Sequence, residues 1–345
     1  MDSEDYKAFL ERLGEYRRQT LDTLQKSLPE KEPRSYLYDL IRKYLDHSGK
    51  GLRPALCLAT CRAFGGRTED ALNSAAAIEM LHNAFLVHDD IEDDSEFRRG
   101  YPTMHTQYGL PIAVNTGDAM QALSMRILGK NHSTLGPKLA WQVFEEFDSM
   151  LIESLEGQAI ELGWIRDNRC DISDDDYLRM TLKKTCWYSF IHPCRIGALI
   201  ARPEDTNLDR FNSFGHYLGS AFQIQDDILN LTGSRQKYGK EIAGDLYEGK
   251  RTLMLSHLFG KGSPEETQEL KDFLSKPRNG KYADQIDWVR KLMTSYGSIE
   301  YARSGARELR DAAEQAFSEA YQDAPESDDK AFIQQSLHYM IDRTS

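Results

Sequence analysis

The chain has 345 residues, of which 40% are hydrophobic and 28% charged, a globular balance that excludes a disordered or collagen-like protein. Its 43 basic and 55 acidic residues give a net charge of −12, which argues against nucleic acid as the main partner. Five cysteines favour a reducing compartment over a disulfide scaffold. Since no apolar run approaches the roughly 18–20 residues that span a bilayer and the acidic start is unlike a signal peptide, we expect a cytoplasmic protein that does not span a membrane.

Taken in chain order, apolar residues recur at helical spacing and predict helices over 54–64, 69–87, 213–231 and 301–321. Range 69–87 is rich in Ala, Leu and Ile, which is typical of a buried helix in a bundle rather than of a strand. We find no convincing strand pair, repeat or domain boundary. The sequence therefore predicts a single all-α domain over residues 1–345, with a motif-bearing core at about 45–255 and C-terminal helices at 264–345.

The first acidic motif directly follows the most apolar predicted helix. If that helix continues, Asp89 and Asp93 lie one turn apart on one face, where two carboxylates repel each other. Such a pair at the end of a buried helix needs a cation, and oxygen ligands favour a hard ion such as Mg²⁺, which completes its shell with water and phosphate oxygens. The competing interpretation is a solvated acidic helix end.

A second acidic motif argues against that plainer interpretation. Gln223, Asp226, Asp227 and Asn230 follow one another at i, i+3, i+4 and i+7 within an apolar helix. A polar stripe there is costly unless it faces a wet or metal-filled cavity. We therefore predict that the two acidic helices face each other across a cavity with a metal site.

Basic residues recur beside both motifs. Each one alone would indicate only a solvated face, but together they fit a site for diphosphates, held partly through Mg²⁺ and partly by direct contact. The basic residues of this group are Lys50, Arg53, Arg98, Arg99, Lys184, Lys240 and Lys250.

Five segments in series resemble the trans-isoprenyl diphosphate synthase (polyprenyl synthetase) family. They are GKGLRP at 49–54, HDDIEDDSEFRRG at 88–100, KT at 184–185, FQIQDDILN at 222–230 and GKEIAGDLYEGKRTL at 239–253. The resemblance implies an all-α, isoprenoid synthase-type helical bundle around a central cavity, usually a homodimer. It also implies a prenyltransferase of isoprenoid biosynthesis, which condenses isopentenyl diphosphate head-to-tail with an allylic diphosphate such as dimethylallyl, geranyl or farnesyl diphosphate.

The resemblance also implies a role for each matching residue. Asp89, Asp93 and Asp226 would bind three Mg²⁺ ions, with Asp90 and Asp227 in support. The residues expected at the allylic diphosphate are Arg98, Lys184, Thr185, Gln223, Asn230, Lys240 and Lys250. Those expected at the isopentenyl diphosphate are Lys50, Arg53, His82 and Arg99. Asp89, Asp93, Asp226, Lys184 and Arg98 would carry the catalysis.

Side chains below the first motif should set the length of the product. Ala84 and Phe85 stand five and four residues before Asp89, and this pair of one small and one bulky side chain argues against very long products. We favour geranylgeranyl diphosphate, with farnesyl diphosphate second, although Phe85 as ordinary core packing is an equal alternative. Asn230 replaces an Asp common in the family, which we interpret as a sub-family mark.

Three other interpretations stay open from the residues. A class I terpene cyclase on the same fold would keep the aspartate motifs but would not need the isopentenyl diphosphate pocket. A non-catalytic regulatory subunit tends to lose one aspartate motif, whereas this chain keeps both. A structural helical scaffold would leave the polar stripe around Asp226 unexplained.

Overall fold

The computed structural model describes residues 3–233 and 242–341, which are helical almost throughout. The first half contains α1 (Ser3–Ser27), a π-helical turn (Arg34–Tyr38), α2 (Asp39–Asp46), α3 (Leu52–Ala63), α4 (Thr68–Glu92), α5 (Met104–Tyr108), α6 (Leu110–Leu128), α7 (Asn131–Leu135) and α8 (Pro137–Arg166). The second half contains α9 (Asp174–Thr181), a π-helix (Leu182–Ile191), α10 (His192–Ala201), α11 (Arg210–Thr232), α12 (Gly244–Glu248), α13 (Leu253–Lys261), α14 (Pro264–Leu274), a 3₁₀ turn (Arg278–Gly280), α15 (Ala283–Ser295), α16 (Ser298–Ala320) and α17 (Asp328–Ile341). None of the helices in these two ranges is long and apolar enough to cross a membrane.

The four predicted helices correspond to α3, α4, α11 and α16, so the all-α prediction is confirmed. The main difference is a short antiparallel hairpin, β1 (Phe97–Arg98) and β2 (Tyr101–Pro102), where the sequence showed no convincing strand pair. Its turn residues Arg99 and Gly100 both have positive φ, at 55° and 82°. Two consecutive positive φ values are typical of the tight turns that join such strands, and they turn the chain sharply after the first acidic motif.

The helices pack around two hydrophobic clusters. The larger cluster is built mainly from α1, α3, α4, α6, α10, α11 and α17, and the smaller one from α9, α12, α13, α14, α15 and α16. α4 is apolar nearly all round and contacts α1, α3 and α6, as expected for a buried helix. α16 lies along α11 and closes the bundle there, while Leu309 packs against both clusters. The single-domain assignment stays a prediction.

Candidate active site

A cavity of about 620 Å³ lies between α4, α8, α11 and the π-helix. Asp89 of α4 lines one part of its wall, and Asp226 and Asp227 of α11 line another. The prediction that both acidic helices face one cavity is therefore confirmed. The volume falls within the roughly 300–1,000 Å³ that small-molecule sites usually have.

The two acids of the first motif lie one turn apart, but their carboxylates have different surroundings. α4 ends at Glu92, and the N–H of Asp93 donates to the carbonyl of Asp89 at 2.9 Å. Asp89 lines the cavity, whereas Asp93 is only 7% exposed and accepts a 2.7 Å hydrogen bond from Lys250. Burial raises the pKa of Asp93 to about 7 against the opposing charge of Lys250. Asp93 thus lies behind the lysine rather than on the cavity wall.

Arg98, in the hairpin, holds the start of the same motif. Its Nε donates to Asp90 Oδ1 at 2.7 Å, and its Nη2 donates to Asp89 Oδ2 at 3.0 Å. Burial disfavours the guanidinium charge, but the two carboxylates outweigh it and raise the pKa of Arg98. Asp90 is completely buried and orients Arg98, while its supporting role at a metal stays a prediction.

A hydrogen-bonded chain runs through the second motif. The hydroxyl of Thr185 donates to Gln223 Oε1 at 2.9 Å, and Gln223 Nε2 donates to Asp227 Oδ1 at 2.8 Å. The hydroxyl of Tyr177 donates to the other oxygen of Asp227 at 2.8 Å. Burial raises the pKa of Asp227 to about 7, although both donors oppose that rise. Asp227 is thus held by these two donors, and its neighbour Asp226 also lines the cavity.

Lys184 reaches the cavity from the π-helix, whose wide turns are often found at functional sites. Its Nζ donates to Glu161 Oε2 and lies 3.8 Å from Asp89 Oδ1. Despite the cost of burial, Glu161 and Asp89 raise the pKa of Lys184, which stays charged. α8 packs closely against the π-helix because Gly157 stands at their contact. A Cβ at this position would lie 2.5 Å from Lys184 Cα.

A second group of lining residues is basic, and we call this part of the cavity wall the basic end. Lys50, Arg53, His82 and Arg99 all line it, together with the buried carboxyl of Glu79. Burial raises the pKa of Glu79, while Arg53 and Arg99 oppose that rise. With three cations against one acid, this end suits an anionic ligand that needs no metal.

Arg53 is held by three neighbours. Its Nε donates to Ser189 Oγ at 3.1 Å, its Nη2 donates to the hydroxyl of Tyr188 at 3.0 Å, and its Nη1 lies 3.3 Å from His82 Nε2. A guanidinium only donates, so His82 Nε2 must accept and its proton must be on Nδ1. Burial and the nearby arginines lower the pKa of His82, which is therefore neutral. Its Nδ1 is buried and has no hydrogen-bond partner among the described residues.

Arg99 is positioned by the segment before α3. Its Nη1 donates to the carbonyl of His47 at 3.2 Å. The guanidinium lies against Gly49, where a Cβ would come within 2.7 Å of Nη2. A larger residue at position 49 would therefore displace the guanidinium from its present place.

Two further residues of the expected set lie away from the cavity wall. Asn230 is buried, and its Oδ1 accepts from the backbone N–H of Asp245 at 3.2 Å, so it holds α12 instead of facing the cavity. Ala84 is fully buried in the core, whereas Phe85 does line the cavity. Lys240 lies outside the described residues.

Sequence reasoning missed the polar side chains of α8 that line the cavity. Ser154, Gln158 and Glu161 stand at i, i+4 and i+7, the same helical spacing that revealed the second acidic motif. That pattern was therefore available in the sequence. Glu79 was missed because a single acid in an apolar helix has no such pattern.

The oxygen donors of the acidic walls suit a hard divalent cation. Within residues 3–233 and 242–341, no three His, Cys, Asp or Glu side chains are placed to hold a metal by themselves. Lys184, Arg98 and Lys250 already contact Asp89 and Asp93. What fits Mg²⁺ is the pair of cavity-lining carboxylates Asp89 and Asp226, because Mg²⁺ usually takes only one or two carboxylates and completes its shell with water and phosphate oxygens.

An all-helical bundle around a cavity with acidic walls and one basic end defines an isoprenoid synthase-type fold. A sequence model of the polyprenyl synthetase family matches residues 34–293. The geranylgeranyl pyrophosphate synthase of Geoglobus acetivorans is 32% identical over 322 residues, 93% of this chain and 95% of the relative. The geranylgeranyl diphosphate synthase of Sulfolobus acidocaldarius is 39% identical over 219 residues, 64% of this chain and 66% of the relative.

The solved structures agree with this result. The crystal structure of geranylgeranyl pyrophosphate synthetase from Pyrococcus horikoshii superposes with a TM-score of 0.86 at 28% identity, covering 98% of this chain and 99% of the other. The chain belongs to the polyprenyl synthetase family, and it is a transferase of the prenyl diphosphate synthase type.

Proposed function

We propose that the protein condenses isopentenyl diphosphate with an allylic diphosphate in a Mg²⁺-dependent head-to-tail reaction. The observation that carries this proposal is the division of one cavity into two anion sites of different chemistry. One has carboxylates beside lysines, with Asp89, Asp226, Lys184 and Lys250 in its wall. The other is the basic end, which suits a diphosphate bound without metal.

Asp89, Asp93 and Asp226 would hold Mg²⁺ at the acidic site, with three ions expected once the allylic diphosphate is bound. Bound Mg²⁺ supplies positive charge that stabilises the departing diphosphate. Asp93 would reach the ions only if Lys250 moves from it, and the phosphate oxygens are the natural new partner for that lysine.

The protein's own side chains then account for the reaction. Lys184, Arg98 and Lys250 stabilise the negative charge that develops as the allylic C–O bond ionises. The basic end holds isopentenyl diphosphate so that its double bond attacks the allyl cation. Phe85, Leu155 and Phe222 are apolar side chains of the cavity wall, and such a wall keeps water from the cation. The released diphosphate is the base that removes the final proton.

Geranylgeranyl diphosphate is the proposed product, which agrees with the names of the relatives. Phe85 lines the cavity and packs edge-on against Tyr188, with ring centroids 5.6 Å apart. Replacing Phe85 with alanine should therefore open the cavity and move the main product to 25 carbons or more. Phe259→Ala removes a half-buried ring away from the cavity and should leave the product unchanged. Chromatography of the dephosphorylated products checks both variants, and an unchanged product from Phe85→Ala would leave Phe85 as ordinary core packing.

We also propose a homodimer that functions in the cytoplasm. α6 and α8 each expose large apolar side chains, including Ile112 (38%), Val114 (40%) and Trp141 (60%), and exposed apolar side chains of this kind favour an interface between subunits. Trp141→Glu should give a monomer by light scattering, whereas Tyr36→Glu, at a 74% exposed tyrosine elsewhere, should not. A wild-type monomer would contradict the dimer. All five cysteines are free thiols, in keeping with a reducing compartment.

The reaction is tested by supplying the allylic diphosphate with and without isopentenyl diphosphate. We expect no reaction without isopentenyl diphosphate and chain elongation when it is present. A cyclic hydrocarbon from the allylic substrate alone would instead indicate a terpene cyclase. No turnover with any allylic substrate would indicate a regulatory subunit.

A further inference from the structure

The basic end of the cavity is built partly by helices from outside the segment that matches the family. The family match covers residues 34–293, whereas α1 ends at Ser27 and α17 begins at Asp328. Both helices nevertheless reach the loop of residues 47–51, which carries Lys50.

Arg17 of α1 binds the backbone of this loop. Its Nε donates to the carbonyl of Gly49 at 2.8 Å, and its Nη2 donates to the carbonyl of Ser48 at 3.3 Å. The stem of Arg17 also packs against Gly51, where a Cβ would lie 3.3 Å from the Cβ and Cγ of the arginine. Arg17 thus holds the residues on both sides of Lys50, while Arg99 holds the loop at the carbonyl of His47.

Tyr339 of α17 contacts Lys50 itself. The Nζ of Lys50 lies 5.0 Å from the centroid of the tyrosine ring, within the range of a cation–π interaction. Tyr339 lines the cavity but is only 8% exposed, because Phe9 of α1 packs on it with ring centroids 4.7 Å apart. Lys50 has no carboxylate within 4 Å among the described residues, so the ring is the contact that places its charge.

We propose that Arg17 and Tyr339 are positioning residues for Lys50, through which α1 and α17 set the affinity for isopentenyl diphosphate. Arg17 fixes the backbone from which Lys50 extends, and Tyr339 directs the ammonium into the cavity. The inference rests on the proposed function, since Lys50 is taken to bind that substrate.

Three variants test it by steady-state kinetics of the full-length enzyme. Arg17→Met keeps the stem that packs on Gly51 but removes the donors, and it should raise the KM for isopentenyl diphosphate roughly tenfold. Tyr339→Leu should raise that KM about three- to fivefold, whereas Tyr339→Phe keeps the ring and should stay near wild type. The KM for the allylic substrate should not change in any of them.

Matched controls separate positioning from general damage. Arg18→Met and Gln334→Leu alter exposed residues of the same two helices and should leave both KM values unchanged. In a Lys50→Met background, Tyr339→Leu should cause no further rise, because its effect passes through Lys50. The proposal is overturned if the two KM values rise equally or if neither rises. It is also overturned if the effects of Tyr339→Leu and Lys50→Met on the KM for isopentenyl diphosphate are fully additive.

Calorimetric binding of isopentenyl diphosphate without allylic substrate separates this proposal from the proposed function. A wild-type protein that binds it but never elongates would contradict the synthase. Weaker binding in Arg17→Met and Tyr339→Leu would still support the positioning role, and unchanged binding in both would refute it. If the wild type does not bind isopentenyl diphosphate, Lys50 does not serve this ligand and the positioning proposal fails as well.

Discussion

Asp89→Asn is expected to lower kcat by roughly 10²–10³-fold, because it removes a cavity-facing charge from the acidic site. Asp89 lines the cavity and is the acid near which Arg98 and Lys184 meet, at 3.0 and 3.8 Å. An amide of the same size keeps the shape of the site but leaves less negative charge to bind Mg²⁺. The Mg²⁺ concentration for half-maximal activity should therefore rise as kcat falls.

The fold should tolerate this change. Arg98 keeps its 2.7 Å bond to Asp90, so its charge remains paired when Asp89 is neutral. The control is Asp94→Asn, five residues further on, at a side chain that is 83% exposed. Its φ of 51° is a conformation that asparagine accepts readily, and both kcat and Mg²⁺ dependence should match wild type. Near-normal kcat and Mg²⁺ dependence in Asp89→Asn would show that Asp89 is not a metal ligand.

Gly157→Ala and Gly163→Ala should change stability in opposite directions, although both lie in α8. At Gly157 a Cβ would meet the backbone of the π-helix, 2.5 Å from Lys184 Cα and 2.7 Å from Lys183 C. Backbone cannot rotate aside as a side chain does. We expect a loss of about 1–3 kcal/mol in the free energy of unfolding.

At Gly163 a Cβ would have nothing within 4 Å. Alanine there should stabilise the helix by about 0.5–1 kcal/mol, since glycine loses more backbone entropy on folding. Gly157→Ala should also lower kcat, because separating α8 from the π-helix moves Lys184 away from Glu161 and Asp89. Urea unfolding and initial rates of both variants test this, and a stable, fully active Gly157→Ala protein would contradict the close contact.

The acidic site was predictable from sequence because its residues recur at helical spacing on strongly apolar helices. Asp89 and Asp226 both lie on the cavity wall, as the spacing predicts. The place of Asp93 behind Lys250 was not predictable, because it depends on a contact between residues 157 positions apart. Ala84 was expected beside the growing chain but faces the core, since one residue along a helix turns the side chain by about 100°.

At the basic end, too, the sequence predicts the ligand-facing residues but not the residues that hold them in place. Lys50, Arg53, His82 and Arg99 carried a family pattern, and the structure brings all four together. The residues that hold them carry no local pattern. Arg17 lies 32 positions from Gly49, and Tyr188 lies 135 positions from Arg53, so only the packed helices show which pairs meet.

The most direct test is the incorporation of labelled isopentenyl diphosphate into product by the wild-type protein. The protein is incubated with farnesyl diphosphate and either Mg²⁺ or a chelator, and the product length is measured. We predict one linear product, geranylgeranyl diphosphate, with Mg²⁺ and none with chelator. If no label enters a prenyl chain from any allylic diphosphate, or if it enters equally with chelator, the proposed metal-dependent condensation is wrong.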